Sequence, residues 1–556
     1  MENGTAKIFN SAILFLGSFA VWTIPYKDWR FFDDDYGAIY IGTISSFAEI
    51  KDYFGSNPND RSILPSNMRD ATPWSFFGVM YRPLALIMYA AEVYLFGPFN
   101  PRAYFFVSMA LHAACGVMLF YLFSFLMPLL YAFFCAITFL FYPIMGEFIG
   151  RFVMQTYSIA LLGVGFSIAF LRGYLDSEKK MMYFLSLFIF GTTLFVHEIV
   201  VVFPVWLLCV LPFYFDASAF PSLRTFLRGA FFAAGYFGVV VFNLMMRALV
   251  YPVSMKSNYM VLRPMEILWR LKIRIFDLIT LVIDALGLTA VPGGNRLRKS
   301  IVLLVVLMLL LIVFVRSKRK RDAVVLGLGF FLFSWPAFAI THQARYLYLG
   351  LPFLLGAFGI LLSSQRRINK FLTFCWLAIP ISGLLYGAAS TFAREKKYIV
   401  VDNAFKKLAR NDFLFDKPIC FVGAPKEWIP HPGAAQAIWI YRGNSSAPVC
   451  HDPQLNVCCL EKHSPLDEMQ IPRDAIVDIS VQNNVVHIVS KTPEKAWVWT
   501  HNPFGQEFKC SMGERRIIKA SSDRGFEIAV ILNKKWSDLQ LKFVTWDFNR
   551  QKFKII

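Results

Sequence analysis

Three consecutive carboxylates, Asp33, Asp34 and Asp35, follow the first apolar run and are the clearest indication of chemistry in the chain. Carboxylates crowded together repel one another, which raises the pKa of at least one member of such a group unless a cation lies close. A carboxylate of that kind just outside a membrane is suited to act as general base towards a hydroxyl or an amine. A solvated acidic turn or a helix N-cap would also explain the three residues.

Further ionisable residues lie beside later apolar runs, on the face where alternating crossings place the acidic triplet. Arginines and carboxylates gathered on one face suit a site that holds a lipid phosphate and activates an acceptor. The groups are 81–84 (Tyr-Arg-Pro-Leu), 143–151 (with Pro143, Glu147 and Arg151), 197–198 (His-Glu) and 343–348 (Gln-Ala-Arg-Tyr-Leu-Tyr).

Each of these groups also has a purely structural interpretation. Glu147 and Arg151 would form a local salt bridge if they lay one helical turn apart. His197 could be a packing residue, and Arg345 could anchor the chain at the membrane interface. The stretch 81–96 is predicted to be amphipathic and to lie at that interface.

Apolar runs must position these groups, and a helix needs about 20 mostly apolar residues to cross a bilayer. The basic residues of the short loops near 172–180, 224–228, 316–321 and 366–370 fall on one face, which the positive-inside rule makes cytoplasmic. The N-terminus is then expected inside, and the loop 26–80 and the C-terminal segment outside. We predict spanning helices at residues 8–25, 103–126, 128–145, 152–171, 181–196, 198–214, 229–250, 300–315, 323–340, 346–363 and 371–390.

The segment 251–299 leaves the helix count open, because its run 275–291 is apolar enough to dip into the bilayer or form a hairpin. The sequence therefore predicts an α-helical polytopic membrane protein with about 11–13 transmembrane helices. Positions in the middle of these helices are almost wholly apolar. A proton-coupled transporter would need charges near the bilayer midplane, so this pattern argues against transport.

Composition supports membrane insertion. The chain has 556 residues, of which 56% are hydrophobic and only 17% charged. These values exclude a cytosolic enzyme, a small disulfide-rich secreted domain and a disordered scaffold. The 56 Lys and Arg outnumber the 37 Asp and Glu, for a net charge of +19. Because the basic residues lie largely in short loops and in the tail, we expect the lipid bilayer, and not nucleic acid, as the partner.

The composition changes near residue 393, where the long apolar runs end. Alternating apolar residues predict strands at 475–480, 485–489, 496–500 and 539–545. We therefore divide the chain into a transmembrane catalytic domain, residues 1–392, and a mostly β soluble domain, residues 393–556. The second domain holds five cysteines, which could form disulfides whose pairing the sequence does not decide.

In the order of its polar groups the chain resembles the GT-C superfamily of polytopic membrane glycosyltransferases, closest to the protein O-mannosyltransferase and TMTC-like branch. A Lys-Glu turn of that branch is replaced here by His197 and Glu198. The matching residues span roughly 8–390 and are Asp34 and Asp35 followed by Ala38 and Ile39, Tyr-Arg-Pro-Leu at 81–84, Asn100 and Pro101, Leu-His-Ala at 111–113, Pro143 with Glu147 and Arg151, and Arg-Tyr-Leu-Tyr at 345–348.

The resemblance implies a polyprenyl-phosphate-linked sugar as donor, bound from the outer leaflet. It assigns the general base to Asp34 with Asp35 assisting, and Asp33 is an additional carboxylate that could replace either. The expected donor phosphate site comprises Arg82, Arg151, Arg345, Tyr346 and Tyr81, with Glu147, His197, Glu198 and Tyr348 in supporting positions.

One direct displacement by the activated acceptor would invert the anomeric carbon. A divalent metal, Mg²⁺ or Mn²⁺, could bridge Asp33, Asp34 and Asp35 and the phosphate. Some GT-C enzymes need such a metal and others do not, and the sequence does not decide between them.

The C-terminal segment resembles neither the MIR repeats nor the TPR arrays of eukaryotic members. This favours a bacterial enzyme of the inner (cytoplasmic) membrane, with its site and C-terminal domain on the periplasmic side. The acceptor could be a glycan, a lipid or a protein. Two alternatives stay open: a transferase of the same fold that modifies lipid A or O-antigen glycans, and a non-catalytic transporter or assembly protein for lipid-linked sugars.

Overall fold

The computed structural model describes most of the predicted helical region and parts of the C-terminal segment, and the structural statements below concern these residues only. The described residues are 2–24, 30–31, 35, 38–39, 42, 82–142, 145–216, 221–250, 314–315, 317, 319–334, 344–364, 380–381, 384–385, 389, 399–408, 410 and the strands given below.

The chain divides into two units. The first comprises Met1–Trp29, Phe76–Met88 and Asn100–Ala393, and the second comprises Arg30–Ser75, Tyr89–Phe99 and Arg394–Ile556. The described helices are α1 Glu2–Thr23, α2 Pro83–Phe96, α3 Pro101–Ser124, α4 Leu129–Leu140, α5 Met145–Ile149, α6 Gln155–Ser177, α7 Lys180–Val196, α8 Phe203–Phe215, α9 Leu223–Val250, α10 Lys320–Phe333 and α11 Leu351–Ser363. Three 3₁₀ helices, Phe152–Met154, Glu198–Val202 and Ala344–Leu347, precede α6, α8 and α11.

Within the described residues, five helical segments are long and apolar enough to cross a membrane. This confirms the prediction of an α-helical chain with membrane-spanning segments. The number of crossings stays a prediction, because nearly all of 251–318 and 365–398 lies outside the described residues. The five segments are Gly4–Thr23, Pro101–Ser124, Phe152–Ser177, Glu198–Phe215 and Leu223–Leu249.

Several helix ends differ from the predicted spans. Helix α4 stops at Leu140, well short of residue 145, because Pro143 disfavours helical backbone in the residue before it. Helix α11 begins at Leu351 and not at 346, since Ala344–Leu347 forms a 3₁₀ helix. The prediction that 81–96 is amphipathic is wrong: α2 is apolar on its exposed side too, where Tyr94 and Leu95 are 72% and 69% exposed.

Five basic residues of the first unit gather at one end of the helix bundle. Arg172 lies 4.2 Å and the Lys7 Nζ 5.2 Å from the Phe125 ring centre, and Arg228 lies 4.3 Å from that of Phe215. Arg319 donates to the Leu126 carbonyl. We call Lys7, Arg172, Arg228, Arg319 and Arg321 the basic end. Alternating helix directions require this arrangement, because α1, α9 and α10 begin there while α3, α6, α8 and α11 end there.

Helices α6 and α7 pack closely through Gly163. A Cβ atom added at Gly163 would lie 1.9 Å from Thr193 Oγ1 and 2.9 Å from Thr193 Cβ. The Thr193 hydroxyl already donates to the Ile189 carbonyl at 2.6 Å, so it has little room to move away. The absence of a side chain at residue 163 is therefore what allows these two helices to approach.

Gly163→Ala should destabilise the protein by about 1–3 kcal/mol, the range seen when a packed interior is overfilled. Gly238→Ala is the matched control, because nothing lies within 4 Å of its added Cβ and alanine favours helices. The melting temperature in detergent should fall for Gly163→Ala and be unchanged or higher for Gly238→Ala. Equal melting temperatures for the two variants would contradict the close packing of α6 and α7.

In the second unit, residues 399–408 are helical and the following chain contributes short strands. The described strands are β1 Ile419–Phe421, β2 Val457–Cys459, β3 Met469–Gln470, β4 Val477–Gln482, β5 Val485–Ser490, β6 Val498–Trp499, β7 Gly513–Ser521, β8 Gly525–Leu532, β9 Lys542–Asp547 and β10 Lys552–Ile555.

These strands pair in three groups. Strands β4, β5, β8 and β7 pair antiparallel in the spatial order β4-β5-β8-β7. A second group has the order β10-β9-β1-β2, in which β1 is parallel to both β2 and β9. Strands β3 and β6 form an antiparallel pair. The residues between most strands lie outside the described ones, so the β-rich domain as a whole stays a prediction.

Candidate functional site

An ion pair joins two polar groups that are 116 residues apart in the chain. Arg82 Nε donates to Glu198 Oε2 at 2.5 Å, and its Nη2 donates to Oε1 at 2.6 Å. Both side chains are largely buried, with 15% of Arg82 and 25% of Glu198 exposed. A two-point, charge-assisted contact fixes the guanidinium plane as well as its position.

Local backbone structure presents these two side chains. Arg82 precedes α2, whose first residue is Pro83, a favoured residue at that position. The Arg82 carbonyl accepts from the amides of Ala85 and Leu86 at 3.0 and 3.2 Å, so its backbone is part of the helix start. Glu198 opens the 3₁₀ helix Glu198–Val202, where a carboxylate is favoured by the backbone amides.

His197 is buried and caps the same 3₁₀ helix. Its Nδ1 accepts from the Ile199 amide at 3.2 Å, which in the neutral imidazole places the proton on Nε2. Its ring packs against Tyr157, with 4.2 Å between the ring centres. The predicted turn at 197–198, between α7 and α8, is thus held by a hydrogen bond and a ring contact of His197.

A chain of aromatic contacts continues from His197. Tyr157 meets Phe148 edge to face, with ring centres 5.7 Å apart. Phe148 stacks on Tyr348, with ring centres 4.6 Å apart and 24° between the planes. The aromatic rings therefore link the 197–198 turn to the groups 143–151 and 343–348.

The Tyr348 hydroxyl lies in a buried hydrogen-bond network. His112 Nε2 lies 3.1 Å from the Leu140 carbonyl, which can only accept, so in the neutral imidazole Nε2 carries the proton and Nδ1 is an acceptor. Tyr348 Oη, 3.0 Å from Nδ1, must then be the donor to His112. Ser158 Oγ lies 3.0 Å from the same Tyr348 oxygen and can donate to it.

These contacts form one continuous set within the first unit, which we call the motif cluster. It brings together four predicted site residues: Arg82, His197, Glu198 and Tyr348. It also contains residues that the sequence did not single out as site residues. Its members are Arg82, Glu198, His197, Tyr157, Phe148, Tyr348, His112 and Ser158.

Sequence reasoning missed His112, Tyr157, Phe148 and Ser158 as parts of the site. One signal was present for His112, a histidine near the middle of the apolar helix α3 and part of the Leu-His-Ala motif. Nothing in the sequence marks the other three, because aromatic and serine side chains are ordinary in apolar helices.

Tyr348→Phe should destabilise the protein by about 1–3 kcal/mol, because it leaves the buried His112 Nδ1 without its donor. Tyr121→Phe is the control, since it removes a hydroxyl from a side chain of α3 that is 37% exposed. Thermal unfolding in detergent measures both variants. A Tyr348→Phe variant as stable as Tyr121→Phe would show that the network contributes no stability.

The remaining predicted site residues are placed as follows. Arg151 directly precedes the 3₁₀ helix Phe152–Met154, and Tyr346 is buried in Ala344–Leu347. Helix α5 ends at Ile149 and the Arg151 backbone is extended, with φ −125° and ψ 113°. Glu147 and Arg151 are therefore not one turn apart on a continuous helix, which was the basis for predicting a salt bridge between them.

Part of the predicted site lies outside the described residues. This holds for Asp33, Asp34, Tyr81 and Pro143, and for the side chains of Glu147 and Arg345. Asp35 is described, and its side chain is fully buried in the second unit. No group of three or more His, Cys, Asp or Glu suited to a metal ion occurs among the described residues. Because Asp33 and Asp34 are outside that set, metal binding by the acidic triplet stays a prediction.

The second unit contains another buried carboxylate, Asp402, which the sequence did not indicate. Lys406 Nζ lies 2.7 Å and Arg30 Nε 3.4 Å from its Oδ2. A buried charge is tolerated when it is paired in this way. Asp402 thus fixes residue 30, which precedes the acidic triplet, to the helical segment 399–408 of the same unit.

No protein-family model matches the chain, and no curated protein matches it at a significant level. The resemblance to GT-C glycosyltransferases therefore depends only on the sequence motifs quoted above.

Proposed function

We propose that this chain is a membrane glycosyltransferase of the GT-C type, which transfers a sugar from a polyprenyl-phosphate-linked donor to an acceptor. The motif cluster is the observation that supports this proposal most. Residues from four of the motifs, at 81–84, 111–113, 197–198 and 345–348, are connected by contacts that run through Tyr157 and Phe148, and Phe148 lies within the segment 143–151. Motifs that are individually short carry more weight when the fold assembles them at one place.

The proposed reaction is a single displacement. Asp34, assisted by Asp35, takes the proton from an acceptor hydroxyl or amine, whose lone pair forms a new bond to the anomeric carbon. The bond from that carbon to the phosphate oxygen breaks, and its electron pair leaves on the polyprenyl phosphate. Attack from the face opposite the leaving group inverts the anomeric carbon. Asp33 is the alternative carboxylate for either role.

Positive charge must stabilise the second negative charge that develops on the leaving phosphate. Arg82, Arg151 and Arg345 are proposed for this role, with Tyr81 and Tyr346 as hydroxyl donors. The Glu198 carboxylate orients Arg82 through two hydrogen bonds. A guanidinium has five N–H donors, so an arginine held by a carboxylate can also bind a phosphate.

The distribution of basic residues supports the proposed sidedness. The motif cluster lies at the opposite end of the first unit from the basic end, because α7 runs from Lys180 at the basic end to Val196 beside His197. The positive-inside rule makes the basic end cytoplasmic and the motif cluster extracytoplasmic. We accordingly propose a bacterial inner-membrane protein with a β-rich domain, residues 393–556, on the periplasmic side.

The experiment is an assay of polyprenyl phosphate release by the purified full-length protein. Polyprenyl-phosphate sugars are supplied one at a time, with a membrane lysate as acceptor and a parallel reaction without acceptor. Release that requires the acceptor, with an inverted anomeric centre in the product, is expected for one donor. A chelator arm with Mg²⁺ or Mn²⁺ added back tests metal dependence. Donor binding without release would favour a transport or assembly role and overturn the proposal.

A further inference from the structure

A cavity of about 480 Å³ opens at the basic end of the first unit, away from the motif cluster. It lies among α3, α6, α8, α10 and α11. Its volume falls within the range of about 300–1,000 Å³ that is typical of small-molecule sites. Nearly all its lining side chains are apolar, and the charged ones are Arg172, Arg319, Arg321 and Asp322.

Two aromatic residues of the lining, Trp206 and Phe353, lie at the end of the cavity away from the arginines. Phe353 meets Trp206 edge to face with 5.0 Å between ring centres and stacks on Phe333 at 4.7 Å. The indole N–H of Trp206 donates to the Val325 carbonyl at 3.4 Å, so it is not directed at a ligand. Along α8 the lining runs from Trp206 to Tyr214, about 12 Å at 1.5 Å per residue. This deep apolar shape suits a hydrocarbon chain.

The mouth of the cavity is positively charged. Arg172 Nε lies 3.4 Å from Asp176, and Arg319 and Arg321 share Asp322 at 2.6 and 3.7 Å. Three guanidinium groups are thus paired with only two carboxylates, which leaves an excess of positive charge. Lys7, near the Phe125 ring that Arg172 also covers, adds further positive charge. The three arginine side chains are 34–39% exposed at this rim. They can therefore reach a ligand at the membrane surface.

We propose that this cavity binds an anionic phospholipid, with an acyl chain between the helices and the phosphate on Arg172, Arg319 and Arg321. The apolar interior disfavours free phosphate or a nucleotide, which would have to leave water. The positive rim favours an anionic over a zwitterionic headgroup, because arginine binds phosphate bidentately and adds charge attraction. The site lies at the end opposite the motif cluster, so this lipid is not the sugar donor and the proposal does not depend on the proposed function.

The test is native mass spectrometry of the full-length protein released from nanodiscs of phosphatidylglycerol and phosphatidylcholine in equal parts. The wild type should retain phosphatidylglycerol in preference to phosphatidylcholine, and inorganic phosphate should not displace it. Val210→Trp places bulk in the cavity and should remove the retained lipid. Val205→Trp makes the same change on the same helix at a side chain that is 40% exposed and outside the cavity lining, so it should retain the lipid.

A second pair of variants tests the headgroup contact and does not depend on a core substitution. Arg172→Gln, at a side chain 39% exposed, should lower the preference for phosphatidylglycerol about fivefold, the equivalent of about 1 kcal/mol for one basic residue at a membrane surface. Arg224→Gln changes an exposed arginine in the first turn of α9, outside the cavity lining, and should leave the preference unchanged. No preference in the wild type, lipid retention by Val210→Trp equal to that by Val205→Trp, or equal effects of the two arginine variants would each overturn the proposal.

Discussion

Replacing Asp34 by asparagine is expected to reduce sugar transfer by about 10²–10⁴-fold, the contribution typical of a general base. The amide is nearly the same size as the carboxylate but cannot take a proton from the attacking hydroxyl or amine. Binding of the lipid-linked donor should be unchanged, because in the proposed reaction Asp34 acts on the acceptor. Polyprenyl phosphate release under saturating donor measures the first effect, and donor retention during purification measures the second.

A distant control variant and variants of the adjacent aspartates test whether the effect is specific to Asp34. Glu178→Gln makes a comparable carboxylate-to-amide change at an exposed turn after α6 and should leave both readouts unchanged. Asp33→Asn should retain most activity if Asp34 is the base. Loss of activity in Asp33→Asn but not in Asp34→Asn would move the base by one residue. Wild-type rates in all three single Asp→Asn variants of the triplet would refute carboxylate base catalysis.

The helices that the structure describes could largely be predicted from the sequence, because a bilayer imposes both length and apolar character on a spanning segment. Helix α3, Pro101–Ser124, differs by two residues at each end from its predicted span, 103–126. Ends were predicted less well where the backbone changes form without a change in hydropathy. The 3₁₀ helix Ala344–Leu347 before α11 is such a case, since the apolar pattern of Tyr346 and Leu347 continues into the helix without a break.

The partners of the polar residues could not be predicted in the same way. Arg82 and Glu198 were both recognised as candidates, but in different roles, and nothing local to either residue indicates a contact across 116 positions. Such a pairing depends on how α2 and the turn after α7 pack, which is a property of the tertiary structure. The nearer candidate pair, Glu147 and Arg151, was suggested by helical spacing, and the helix ends between them.

Removing either partner of the Arg82–Glu198 pair is the second large effect we expect. Arg82→Leu removes the guanidinium that pairs with the mostly buried Glu198 carboxylate, and Glu198→Leu removes the carboxylate that accepts two hydrogen bonds from the mostly buried Arg82. Hydrogen bonds to charged groups contribute about 1.5–3 kcal/mol, so each single variant should lose stability of that order. If Arg82 also binds the donor phosphate, Arg82→Leu should lower turnover about 10²-fold or more, as removal of a transition-state donor does.

The double variant Arg82→Leu/Glu198→Leu separates the structural role of the pair from its role in transfer. Replacing both members of an ion pair by apolar residues is often neutral for stability, because no uncompensated charge remains. We therefore expect the melting temperature to return towards that of the wild type while turnover stays low. Arg82→Lys should also transfer poorly, because an ammonium keeps the charge but not the two-point geometry. Recovery of turnover together with stability in the double variant would show that the pair only holds α2 against the turn at 197–198, and that the phosphate is bound elsewhere.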